Sequence, residues 1–208
     1  MKKSTILATA LAVAVAAGCA TMGSDNEAAR AKALAMMKTS FKENGQAKLD
    51  RLDQDEVQKL CSTVHGDKPL PKDVAERTEK AQQATIKYPA GGKYLGDWKA
   101  GERIAQSGVG KQFSDDPKAA AGGNCYACHQ LSKAELSFGT IGPSLYNFGK
   151  LRGFTPEMQK YAYGKVYNPQ AFSACSNMPR FGAHGILTEK QIQDVVALLM
   201  DPDSPVNK

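Results

Sequence analysis

The sequence predicts an all-α protein: a small helical domain in the C-terminal half with a helical extension before it. Three observations predict this. Residues suited to capping helices stand in front of segments whose apolar side chains recur three and four positions apart. No segment reads as a convincing strand. Between a helix on one side and several short helices on the other lies the run Cys125-Tyr126-Ala127-Cys128-His129.

In chain order, Met1-Lys2-Lys3 is a basic start, and Ile6 to Ala17 is an apolar run too short to span a membrane. Residues 1–18 therefore read as an export signal. Ala16-Ala17-Gly18-Cys19 resembles a lipobox, with Cys19 lipidated at the new N-terminus; ordinary cleavage near Ala20 is the alternative. A lipidated Cys19 carrying several acyl chains would tether the protein to a membrane. Residues 19–93 form the extension. Ser24-Asp25 can cap a helix over about 27–42, which Asn44-Gly45 ends. Asp53 with Glu56 resembles a capping box for a helix over about 54–64, which His65-Gly66 stops. Pro71 suits the first turn of a third helix, about 71–88. These helices are poor in large apolar residues and are expected to pack on the rest of the protein or on a partner. His65 reads as a capping or surface residue in preference to a ligand. Pro89-Ala90-Gly91-Gly92 marks the boundary with the domain of residues 94–208.

In that domain Asp97 can cap a helix over about 98–107, with Trp98, Ile104 and Ala105 available to a core. A loop rich in Gly, Asp and Ala leads to Cys125 and Cys128. Two thiols with two residues between them, then His129, is the arrangement of a covalent c-type haem. The thiols add across two porphyrin vinyl groups, and His129 offers Nε2 to the iron. A redox dithiol expects a βαβ setting, and a zinc site expects a second ligand pair; neither is present in the sequence. Pro143 follows in Ile141-Gly142-Pro143-Ser144-Leu145, and its carbonyl is a candidate acceptor for the His129 Nδ1 proton, the alternative being a simple loop proline. Thr155-Pro156-Glu157 opens a helix to about Gly164, and Asn168-Pro169 a short turn. Thr188 with Gln191 resembles a capping box for a last helix, about 189–200, with the stripe Ile192, Val195, Val196 and Leu199. This order matches a small all-α, class I cytochrome c-like domain.

The sixth iron ligand is expected to be Met178, in a loop 49 residues after His129 and beside Pro179, which restricts the backbone. A thioether raises the haem potential relative to a second imidazole, which suits a site that accepts electrons. Met158 is explained equally well by packing; His184 and Cys175 are the competing ligands. The chain has five cysteines. Setting aside Cys19 and the haem pair leaves Cys61 and Cys175, which in an oxidising compartment most simply form a disulfide, the alternative being a reactive thiol at Cys175. In the chain-entropy treatment a bridge closing so long a loop contributes roughly 4–5 kcal/mol. Formal net charge is +6, or +4 once Lys2 and Lys3 leave with the signal, and the excess is spread over both halves of the chain. No basic block points to nucleic acid. Aromatic residues make up only 7% of the chain, so a porphyrin would supply much of the apolar mass of the core.

Four segments, taken in order, resemble SoxX, the monohaem c-type subunit of the SoxAX cytochrome complex of thiosulfate oxidation. They are Lys93-Tyr94-Leu95-Gly96-Asp97-Trp98-Lys99, Asn124-Cys125-Tyr126-Ala127-Cys128-His129-Gln130, Gly139-Thr140-Ile141-Gly142-Pro143-Ser144-Leu145-Tyr146 and Asn177-Met178-Pro179-Arg180-Phe181-Gly182. Leu187-Thr188-Glu189 and Ser204-Pro205-Val206-Asn207 fit as well, so the likeness covers about 88–207. The extension is similar to that of the longer form of SoxX. The resemblance implies one haem c held by Cys125 and Cys128, with His129 and Met178 as axial ligands. It implies a heterodimer with a SoxA-like haem subunit that carries the substrate site, so no catalytic residue is assigned to this chain. Thiosulfate would be joined there to a cysteine of the carrier SoxYZ, an L-cysteine S-thiosulfotransferase reaction. Two electrons would leave through the SoxX-like haem to a downstream cytochrome c, all in the periplasm. The lipobox-like Cys19 and the long N-terminal region depart from the shorter members of the family.

Overall fold

The computed structural model describes residues 28–64 and 69–208. Cys19, His65 and the Ser24-Asp25 cap lie outside the described residues. Within them the chain is helical, with no strand beyond a single bridge between Asn44 and Ala47. It divides into two compact units, one ending at Asp53 and one spanning Gln54–Lys208.

In the first unit residues 28–40 form helix α1, none of whose side chains is buried. Gly45 takes a left-handed conformation (φ 53°) in the tight turn that closes the Asn44–Ala47 bridge. A 3-10 turn, Leu49–Leu52, follows. Exposed ion pairs Lys38–Asp53 (2.8 Å) and Lys48–Glu43 (3.0 Å) tie the unit together, and such pairs contribute little each.

The second unit begins with α2, Glu56–Cys61. Its capping box uses Asp55 and Gln58, not Asp53 and Glu56: the Asp55 carboxylate accepts from the Gln58 N–H, and the Gln58 side chain accepts from the Asp55 N–H. Helix α3, Lys72–Gln83, is shorter than its sequence suggests, and Pro71 is the cap residue just outside it. No residue of α3 is buried. It is held by polar contacts instead. Gln83 Nε2 donates to the Ala171 carbonyl (3.0 Å), Asn168 Nδ2 donates to Gln82 Oε1 (2.9 Å), and Ala174 N–H donates to Glu79 Oε1 (3.1 Å). Beyond it Tyr88 and Tyr94 pack at tilted angles against the fully buried Tyr163, at 5.9 and 5.8 Å between ring centroids. The segment 54–93 thus folds in with the haem-motif domain.

The core is built where α4, Trp98–Gln106, crosses the last helix, α7, Glu189–Met200. The crossing is close because Gly101 has no side chain: a Cβ there would collide with the Asp194 carbonyl. Asp194, buried on α7, accepts from the Asp97 N–H (2.7 Å) and pairs with Lys190, so its charge is compensated. Ile192, Val196 and Leu198 of α7 are fully buried, and Val195 and Leu199 almost so. Between these two helices in sequence come α5, Phe148–Arg152, which sequence reasoning does not anticipate, and α6, Pro156–Tyr167, which runs three residues past the expected Gly164. Asn207, 1% exposed, locks the C-terminal tail. Its Oδ1 accepts from Gly149 and Lys150 at the start of α5, and its Nδ2 donates to Leu199 O, Asp201 O and Ser204 Oγ.

Candidate haem site

The motif forms one 3-10 turn, Cys125–Ala127, set against the end of α4. Gly123 N–H donates to Ile104 O (2.8 Å) and Asn124 N–H to Ser107 O (2.9 Å). Asn124 itself adopts a left-handed conformation (φ 45°), which asparagine tolerates, and turns the chain into the motif. The N–H groups of Cys128 and His129 both donate to the Cys125 carbonyl, at 3.1 and 2.9 Å. That winds both thiols and the imidazole onto one short turn.

A second segment straps this turn. Gly139 N–H donates to Tyr126 O, Gly142 N–H to Cys128 O and Leu145 N–H to Gln130 O, each at 2.8 Å. Ser144 Oγ adds a bond to Gln130 Oε1 (2.9 Å). The strap brings the Pro143 carbonyl to 2.7 Å from His129 Nδ1. With Nδ1–H donating there, Nε2 is the nitrogen left to coordinate a metal. Gly142 lies directly on the imidazole: a Cβ would come within 2.5 Å of Nδ1 and 2.7 Å of Nε2. An open cleft of about 510 Å³ borders the same turn, with Gln106, Asn124, Glu135 and Ser137 among its walls.

The donor set fits a covalently attached haem. Cys125 and Cys128 are free of disulfides. Burial, with a smaller effect of the Cys128 thiol, pushes the Cys125 thiol up to about 12. Among the described residues no three His, Cys, Asp or Glu side chains gather as a metal cluster. Ile141 on the strap and Phe138 just before it are exposed apolar residues beside the motif. When bound, the haem supplies one-electron redox chemistry.

Met178 is half-buried and packs on the same core as Cys125 and Leu145; its N–H donates to Ser176 Oγ (3.3 Å). Met158 also packs on this core, and Met200 is buried within it. Cys61 and Cys175 are joined as a disulfide, linking α2 to the Met178 loop. Arg180, 9% exposed, pairs with Asp55 at the N-cap of α2. His184 Nε2 lies 4.0 Å from the same carboxylate. Burial and the Arg180 charge hold His184 below the ordinary histidine range, with Asp55 opposing them. The strap pairing and the Asp55–Arg180 contact escape sequence reasoning; the sequence shows only an arginine two residues after a candidate ligand, and its burial is a tertiary fact.

Residues 110–201 match the Cytochrome c family. An uncharacterized lipoprotein of Aquifex aeolicus (strain VF5) is 42% identical over 161 residues, which cover 74% of this chain and 73% of the relative. The two proteins belong to one family, and this chain carries a cytochrome c domain in its C-terminal half. A solved structure titled SoxXA from P. pantotrophus aligns over 51% of this chain and 82% of that one, at 27% identity and a TM-score of 0.37. A cytochrome c domain implies covalent haem c and electron transfer. No helix among the described residues is long and apolar enough to cross a membrane.

Proposed function

We propose that the protein is a SoxX-like electron-accepting subunit. Cys125 and Cys128 bind one haem c, and His129 and Met178 are its axial ligands. The haem takes electrons released when a SoxA-like partner couples thiosulfate to the carrier cysteine of SoxYZ, and hands them to a downstream cytochrome c. The observation that carries this reading is the ordered set of four segments, 93–99, 124–130, 139–146 and 177–182, on a chain with a cytochrome c domain. Two of the four meet at the turn: 124–130 is the motif and 139–146 is its strap; 93–99 leads into the start of α4, whose other end supports the motif. The substrate chemistry belongs to the partner in this scheme, and this chain supplies the electron exit. Lipidation of Cys19 would place the complex at a membrane surface in the periplasm.

A second reading is favoured by one observation, the lipoprotein name of the Aquifex relative: a tethered electron carrier with no enzymatic partner. Affinity purification of the native protein, with haem staining of what accompanies it, separates the two. A larger haem subunit in the eluate, and haem reduction that needs thiosulfate, partner and carrier together, supports the first. A chain that elutes alone, and whose haem thiosulfate with partner and carrier leaves oxidised, refutes it.

A further inference from the structure

Helix α2 is attached to the candidate ligand loop at two points, one on each side of Met178. Three residues before it, Cys175 is bonded to Cys61 at the last position of α2. Two residues after it, Arg180 is paired with Asp55 at the N-cap of α2. Arg180 is buried while the Asp55 carboxylate is 41% exposed, so the pair is only partly screened by solvent. Asp55 is itself fixed by its capping bond from the Gln58 N–H (2.8 Å). Between the two attachments the loop is short and further held by Met178 N–H on Ser176 Oγ.

We propose that Asp55, Arg180 and the Cys61–Cys175 bridge are positioning residues for the sixth ligand: α2 is a brace that sets how readily the Met178 thioether leaves the iron. This rests on Met178 being that ligand. A segment outside the cytochrome c match would then govern access of other ligands to the haem, and with it the reduction potential. Opening of the loop requires the buried guanidinium to part from its carboxylate, or the loop to swing against the disulfide.

The test is displacement of the thioether by imidazole in the ferric holoprotein, followed by stopped flow at saturating imidazole, where loop opening limits the rate. Asp55→Asn is the informative variant, because asparagine caps a helix as well as aspartate but carries no charge. Its displacement rate is expected to rise about three- to tenfold, because the amide oxygen still accepts from Arg180 and only the partly screened charge is lost. Cys61→Ala/Cys175→Ala is expected to rise as well, and Arg180→Lys to fall between wild type and Asp55→Asn, since lysine keeps charge but loses the planar fork. Asp73→Asn, which breaks the exposed Arg77–Asp73 pair on α3, is expected to react as wild type does. Wild-type rates in Asp55→Asn, or in the double cysteine variant should Asp55→Asn not fold, overturn the brace alone. A wild-type ferric spectrum without the weak sulfur-to-iron band at its red end overturns the ligand assignment and the brace with it.

Discussion

Gly142→Ala places a methyl group against the candidate proximal imidazole, and the structure bounds the result. The new Cβ would stand 2.1 Å from Cε1, 2.5 Å from Nδ1 and 2.7 Å from Nε2 of His129, about 1 to 1.5 Å inside ordinary van der Waals contact. The ring cannot retreat freely, because its Nδ1 is bonded to Pro143 O at 2.7 Å. The strap cannot lift freely either, because Gly142 N–H is bonded to Cys128 O at 2.8 Å. Overpacking of this kind costs about 1–3 kcal/mol. Losing one of the two hydrogen bonds adds about 0.5–1.5 kcal/mol. The expected destabilisation of the ferric holoprotein is therefore about 2–4 kcal/mol, read from denaturant midpoints at unchanged slope. If the imidazole is the group that moves, it loses the carbonyl that raises its basicity, and the reduction potential rises. Potentiometry with the haem absorption as indicator measures this. A Gly142→Ala holoprotein with wild-type stability and wild-type potential would falsify the placement of the strap on His129.

Met178→Ala is expected to abolish the sulfur-to-iron band of the ferric spectrum and to let carbon monoxide bind the ferrous haem rapidly; an unchanged band means that another side chain is the ligand. Asn207→Ala strips a buried residue of five hydrogen bonds and leaves the Gly149 and Lys150 N–H groups without an acceptor, so urea titration should show a loss of about 3–5 kcal/mol, and a loss near zero would mean that the tail is not a lock. Acid should loosen α2 through Asp55. Burial works against its carboxylate, yet the Arg180 hydrogen bond, the Gln58 N–H and the charges of Arg180 and His184 outweigh it, so its pKa lies below the ordinary value. A lowered folded-state pKa means that the contribution is complete above the unfolded-state value of about 3.9 and fades as pH falls through the lower one. Urea midpoints measured from about pH 5 down to about pH 3 should drop more steeply in wild type than in Asp55→Asn, and parallel curves would show that the pair contributes nothing.

Where the sequence carries a local chemical signal, the structure follows it. The Thr188–Gln191 capping box and the Ile192, Val195, Val196, Leu199 stripe place α7 at its observed bounds, and Asp97 caps α4 as expected. The Cys125–His129 turn and the Pro143 carbonyl meet because a CxxCH spacing and a following proline encode local geometry. What sequence reasoning misses is set by tertiary contact. Helix α5 has no capping side chain of its own; its second and third N–H groups are satisfied by Asn207, more than fifty residues away in sequence, so no nearby cap announces it. The length of α6 follows from burial of Val166 and Tyr167, which periodicity near Gly164 does not reveal. The cap of α2 moves from Asp53 to Asp55 because both start an acidic pattern and only Asp55 also meets Arg180. The extension reads as poorly apolar, and so it is, yet residues 54–93 still join the domain through amide and carboxylate contacts and a tyrosine cluster.

The way α3 is seated has a thermodynamic consequence. Glutamine and glutamate side chains hold it against the buried Pro169–Ala171 turn, and detaching it would uncover far less apolar surface than unfolding the unit. A local opening of that kind has a small dependence on urea and a small heat-capacity change. Amide exchange along Lys72–Gln83 would then proceed by a route of its own, less sensitive to denaturant than global unfolding, while the crossed helices that support the porphyrin stay closed until the whole unit unfolds.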